Sequence, residues 1–291
     1  MGYKLDYKKN YRTYRKFKNF MFLALTLMSA IAVLIPLFMI IQFVLVQGAS
    51  SLSLSFFTEL PKPVGETGGG MKHAILGTIY IVLLGAAIAI PIGVTCGIYL
   101  SEFRKSKLSK TLKMTVDLMS GIPSIVIGIF AYLTVVVPLK SFSALAGGIA
   151  LSIIMLPIII KTSEEILKLV PDHIREAGLA LGLPRWKVIL FIILKGSISN
   201  LLTGMILAIS RAAGETAPLL FTAFGNMYLS YQMNEPMASL PVQIYTYAIS
   251  PYKDWQRQAW AGAFVLMVLI LSMNLFARYI LTKIKDKKGI R

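Results

Sequence analysis

Six apolar stretches, each close to the length a helix needs to cross a lipid bilayer, recur along this chain of 291 residues. Crossing the hydrocarbon core takes roughly 20 apolar residues, because in lipid the backbone polar groups must be satisfied within the segment itself. The stretches run from Phe20 to Val46, Ala74 to Leu100, Leu118 to Leu139, Phe142 to Ile160, Ser197 to Phe221 and Gln258 to Ala277. Five contain no Asp, Glu, Lys or Arg, although the fourth stretch is slightly short; the fifth stretch carries Arg211 and Glu215. The pattern predicts an all-α polytopic membrane protein with six transmembrane helices. A water-soluble fold would have nowhere to hide a chain that is 56% hydrophobic with a mean hydropathy of +0.70. The opening, basic and then apolar, has the order of a secretory signal, but Phe20 to Val46 is far longer than a cleavable core and reads as a retained first span.

The distribution of Lys and Arg sets an expected orientation, since cytoplasmic loops carry the excess. The N-terminus, the second-to-third connection, the fourth-to-fifth connection (Lys161, Lys168, Arg175, Arg185, Lys187, Lys195) and the tail together hold 24 of the 30. The other side holds Lys62, Lys72, Lys140, Lys253 and Arg257, and Arg211 lies within a span. Both termini are therefore expected in the cytoplasm. The same distribution explains the net charge of +17 without a nucleic-acid partner.

Catalytic patterns are missing. Cys96 is the single cysteine, so no disulfide and no cysteine metal site can form within the chain, and His73 and His173 fall on opposite sides of the expected membrane. There is no Walker phosphate loop, no zinc-binding helix and no nucleophile elbow, and no cofactor or metal is called for. Glu164 and Glu165 read as a solvated helix end, and Gly65 to Gly70 as a flexible connection. The long connection Thr222 to Arg257, with its run Met237 to Ile249, either packs on the outer membrane face or lines an entrance.

Two segments carry more information. The inner connection contains an amphipathic helical pattern between Pro171 and Pro184, with Ile174, Ala177, Gly178 and Leu181 on one face. Its core reads Arg175-Glu176-Ala177-Gly178-Leu179-Ala180-Leu181-Gly182, followed at fixed distance by Ile192 and Leu194. This resembles the loop signature of binding-protein-dependent ABC importer permeases: Glu-Ala-Ala, three residues, Gly, nine residues, Ile, one residue, Leu-Pro. The chain departs at Gly178, in place of the second Ala, and at Lys195, in place of the Pro. A short helix of this kind either lies in a groove of a soluble partner or rests on the inner leaflet.

The other segment is Ser210-Arg211-Ala212-Ala213-Gly214-Glu215-Thr216-Ala217-Pro218 in the fifth span. Charged side chains inside a span are costly and face a partner or a water-filled path. Arg211 and Glu215 are four apart and can pair, while Pro218 cannot donate to the Gly214 carbonyl, so a bend is expected around Gly214 and Pro218. Arg211, Glu215 and Thr216 are the candidate pathway residues; the competing reading is an ion pair that only fixes packing. Together with Gly121-Ile122-Pro123-Ser124-Ile125-Val126-Ile127-Gly128 and Ala238-Ser239-Leu240-Pro241, this segment is similar to phosphate-specific ABC importer permeases of the PstA type. For Gly121 to Gly128 alone, a kinked packing helix is the simpler account.

The resemblance implies a type I ABC importer permease architecture: residues 1–70 as N-terminus, first span and outer loop, 71–285 as a five-helix importer core with an ATPase-coupling loop at 162–196, and 286–291 as a basic tail. It further implies a cell-membrane assembly with a second, homologous permease subunit, two cytoplasmic ATPase subunits and an extracytoplasmic phosphate-binding protein, with inorganic phosphate as substrate. The coupling residues would be Arg175, Glu176, Ala177, Gly178, Leu181 and Gly182. In the pathway Arg211 would offer a planar fork to phosphate oxygens. Glu215 would accept a hydrogen bond from a protonated phosphate oxygen, which sulfate lacks. A permease for sulfate or molybdate, a stand-alone anion channel and a membrane-embedded enzyme remain as alternatives.

Overall fold

The computed structural model describes residues 3–66 and 68–287, and every regular element among them is helical. In chain order these are α1 (Tyr3–Ser50), α2 (Leu54–Thr58), α3 (Lys72–Glu102), α4 (Lys107–Gly121) and α5 (Ser124–Ala131), which passes through a π-helical segment (Tyr132–Val136) into α6 (Val137–Leu139). Then come α7 (Ala144–Lys168), α8 (Asp172–Ala180) and α9 (Arg185–Lys187), which passes through a second π-helical segment (Val188–Leu194) into α10 (Lys195–Ala213). Last are α11 (Ala217–Thr222), α12 (Leu240–Ala248) and α13 (Lys253–Lys287). Five helical stretches are long and apolar enough to cross a membrane, and a sixth if a bent pair counts as one. Of the basic tail expected at 286–291, residues 288–291 lie outside the described residues, as does Thr67 of the glycine-containing loop.

The centre of the molecule is the pair α3 and α7. Gly85, Ala89, Gly93 and Gly97 form a stripe of small residues at four-residue spacing along α3. A Cβ on Gly85 would stand 3.0 Å from the Gly148 carbonyl oxygen, one on Gly93 2.7 Å from Ile159 Cγ2, and one on Gly97 2.5 Å from Ser163 Cβ. The contact positions climb together along both helices, so the two run parallel. Small residues let such backbones approach closely, which is the main source of helix association where lipid removes the hydrophobic drive. α10 crosses α7 in the opposite sense, with Gly204 against Thr162. At the end where α3 and α7 begin, Phe56, Met71, Ala74, Leu240, Tyr247 and Ala261 form a compact apolar cluster. The run Met237 to Ile249 is thus packed into the fold, with Leu240, Val242 and Tyr247 buried, and not laid on the membrane face.

Several sequence boundaries move. The expected third span, Leu118 to Leu139, is two helices: Leu118 belongs to α4, and the chain turns by 105° before Ser124. Pro123 is the cause. It disfavours the helical region for the preceding residue, and Ile122 accordingly adopts φ −73°, ψ 128°. The crossing segment that remains, Ser124–Leu139, is 16 residues and so about 24 Å long at 1.5 Å per residue. The helix of the fourth span also continues to Lys168 and that of the fifth begins at Arg185, leaving only residues 169–184, which contain the short α8, as the inner connection. Lys161 therefore sits inside a helix, seven residues from its end, and is not a loop residue. Glu164 is likewise not at a solvated helix end: it is buried and ion-paired to Lys168 and, at 3.5 Å, to Lys113 of α4. The two lysines satisfy a carboxylate that burial would otherwise penalise.

Candidate translocation site

Two broken helices meet at their breaks. α10 ends at Ala213, Gly214 to Thr216 form the gap, and α11 starts at Ala217. Pro218 falls in the first turn of α11, where its missing N–H removes no bond, so the chain starts a new helix instead of bending an old one. Gly214 adopts φ −95°, open to any residue, and a Cβ there would meet nothing beyond the Arg211 carbonyl at 3.7 Å. The break is therefore not set by glycine's freedom. α5 lies against α11, and a Cβ on Gly128 would come within 2.8 Å of Pro218 Cα.

Arg211, in the last turn of α10, has its Nε 3.9 Å from Glu215 Oε1 across this gap. Their burial is unequal, with the Arg211 side chain 61% exposed and Glu215 17%. Both face a cleft of about 220 Å³ whose other walls are the α4–α5 break (Ser120, Ile122, Pro123, Ser124) and α7 (Ile154, Pro157, Lys161). Thr216 does not line this cleft; its carbonyl accepts from Leu220 N–H and opens α11. The sequence alone does not single out Lys161 and Asp117, which pair at 2.8 Å, because the apolar run ends at Ile160 and Lys161 reads as part of the connection. Only the extension of α7 past Ile160 reveals it.

The inner connection is built around α8. Pro171 opens it. Gly182, at φ +78°, closes it in a left-handed turn, with Leu183 N–H donating to the Gly178 carbonyl and Gly182 N–H to that of Leu179. Gly178 is buried, and an added Cβ would stand 2.9 Å from Val188 Cγ2 and 3.1 Å from Ile192 Cδ1. That contact gives the spacing between Gly178 and Ile192 a physical reason and explains why an alanine is missing. The four residues expected on one face are divided: Ile174 and Gly178, with Arg175, turn toward the body, while Ala177 and Leu181 are exposed, Leu181 at 81%. Glu176 is exposed as well.

Arg175 is an anchor. Its side chain, 13% exposed, donates from Nε to Glu102 Oε1 at the end of α3 (3.0 Å). Nη1 donates to the Val170 carbonyl (2.6 Å) and to Asp172 (3.2 Å), and Nη2 to the Leu167 carbonyl (2.9 Å). A guanidinium fork serves both carboxylates and the Leu167 and Val170 carbonyls at once, four acceptors where an ammonium has only three donors.

The family described as binding-protein-dependent transport system inner membrane component matches residues 89–286. The chain belongs to this family. It is thus a multi-pass membrane permease. Among curated relatives, the permease is 42% identical over 282 residues to the phosphate transport system permease protein PstA of Yersinia pestis, covering 97% of this chain and 96% of that one. It is 35% identical over 273 residues to the probable phosphate transport system permease protein PstA of Methanocaldococcus jannaschii, covering 93% and 96%. Among solved structures, the permease matches an inward-facing MetNI methionine ABC transporter with a TM-score of 0.60 at 17% identity, over 72% of this chain and 94% of that one. An amino acid ABC transporter gives 0.52 at 15%, over 74% and 92%. These two likenesses concern the fold, that of type I ABC importer permeases.

Proposed function

We propose that this chain is the permease subunit of an ATP-driven importer that carries inorganic phosphate across the cell membrane by alternating access. The observation that carries the reading is the 42% identity to a phosphate permease across 97% of the chain. The site's chemistry agrees with it. Arg211, largely exposed, presents a bidentate donor into a cleft formed where two helices are interrupted, an arrangement suited to a tetrahedral oxyanion.

In this reading a second, homologous permease subunit completes the pathway, and an extracytoplasmic phosphate-binding protein delivers the anion. Two ATPase subunits dock on the cytoplasmic side, against the exposed face of α8 with Glu176, Ala177 and Leu181. The excess of Lys and Arg on the α8 side supports a cytoplasmic location for both termini. Arg211 and Glu215 form part of the pathway, and the break at Gly214 to Pro218 is its hinge. ATP hydrolysis belongs to the partner ATPases.

The test is phosphate uptake by cells that lack their own importer and carry this chain with its partners, compared with Arg211→Ala at equal membrane abundance. Uptake by the native chain and its loss in Arg211→Ala, with the complex still assembled, is the expected result. Normal uptake by the variant would return the ion pair to a packing role.

A further inference from the structure

Lys161, which lines the cleft that holds Arg211, belongs to a second ion pair that the proposed pathway leaves without a task. Lys161 Nζ lies 2.8 Å from Asp117 Oδ1, the lysine on α7 and the carboxylate on α4. Lys161 is seven residues from the end of α7, about 10 Å at 1.5 Å per residue, and it lines the same 220 Å³ cleft as Arg211 and Glu215. A cation within a spanning helix needs either a sealed partner or a functional reason. This pair is not sealed: the lysine side chain is 38% exposed and the aspartate 56%. The contrast with Glu164, one turn further along α7, is informative. Glu164 is 7% exposed and clamped between two lysines, as a packing pair should be.

An open lysine–aspartate pair is held weakly, since water competes for both ends. A passing anion can therefore exchange with the carboxylate at little cost. The cleft then offers two cations from two different helices, each tethered to its own carboxylate: Arg211 with Glu215 and Lys161 with Asp117. Arginine contributes a planar fork and lysine a single point charge, a division that suits a tetrahedral anion carrying between one and two negative charges.

Resting on the phosphate-import reading, we infer that Lys161 is a second ligand for phosphate oxygens in the pathway, and that Asp117 is an internal stand-in that occupies the ammonium until phosphate displaces it. With the same exchange at Arg211 and Glu215, the four side chains stay formally neutral throughout, and each cation turns from its own carboxylate to the anion only while the anion is bound. Free cations that would trap the anion are thereby avoided.

The experiment uses the complete transporter in proteoliposomes, with inorganic phosphate as the probe and native uptake as the separate check on the phosphate reading. Lys161→Gln should assemble at native yield and lower the initial uptake rate at least about tenfold, while Lys161→Arg keeps a substantial part of it. The deciding variant is Lys161→Gln with Asp117→Asn. Neutralising both members relieves a merely structural pair, because no unpaired charge is left, but it cannot restore a lost ligand. The double variant should therefore stay as defective as Lys161→Gln. Uptake by Lys161→Gln within about twofold of native, recovery in the double variant, or failure of the complex to assemble would each overturn the inference.

Discussion

Glu215 and Arg175 show how differently two charged residues of similar sequence prominence are used. Glu215 reaches Arg211 only at 3.9 Å, which leaves the carboxylate free to accept from a protonated phosphate oxygen. Glu215→Gln should therefore narrow the preference for phosphate over sulfate by about tenfold, the usual worth of one hydrogen bond in discrimination being of that order or larger. Uptake driven without the binding protein, measured with both anions, checks this; an unchanged ratio with intact transport refutes it. Arg175 does its work inward. Arg175→Ala strands Glu102 and the Leu167 and Val170 carbonyls, a loss of roughly 3 kcal/mol for a mostly buried pair. Hydrogen exchange at the α8 amides should rise and uptake should fall, and Arg175→Lys should recover little of either. The sequence made Arg211 and Glu215 legible because charge inside an apolar run stands out. It misplaces Lys161 and Glu164 and passes over Asp117 because each sits where apolarity fades, and only the backbone decides whether such a residue lies in a helix or a loop.

Among the elements, apolar runs located the spanning helices well and their direction poorly. Apolarity records that a segment avoids water, not which way it points, so the 105° turn between α4 and α5 could be inferred only from the stereochemistry of Pro123. The close pairing of α3 with α7 was also hidden, although its small-residue stripe is plain once the partner is known. Gly97→Leu must push a side chain into Ser163, an overpacking that costs about 1–3 kcal/mol. It should lower the unfolding temperature of the detergent-solubilised chain, whereas Gly121→Ala, with nothing within 4 Å of the added Cβ, should not. Equal thermal shifts in the two variants would contradict the parallel packing described above.

At the scale of the whole molecule, α1 is an appendage to a core that does not need it. Its principal contact is with α13, where Gly48 comes so close that a Cβ would stand 2.5 Å from Phe264 Cβ, and where Phe43 and Trp260 rings lie 6.4 Å apart. Removing residues 1–46 should leave the rest folded, with the unfolding temperature changed by no more than about 2 °C, equivalent to ~1 kcal/mol for a chain of this size. A collapse of stability would show that α1 is part of the core. The core itself behaves differently. Because Arg175 ties α8 to the tips of both α3 and α7, and because those two helices are locked flank to flank by glycine contacts, α8 has no pivot of its own. If α8 is the ATPase-coupling helix proposed above, a push delivered to it would be carried as the tilting of a stiff double beam, one of whose helices bears Lys161. On the proposed function, the wall of the cleft and the surface that docks the ATPase would be, mechanically, one part.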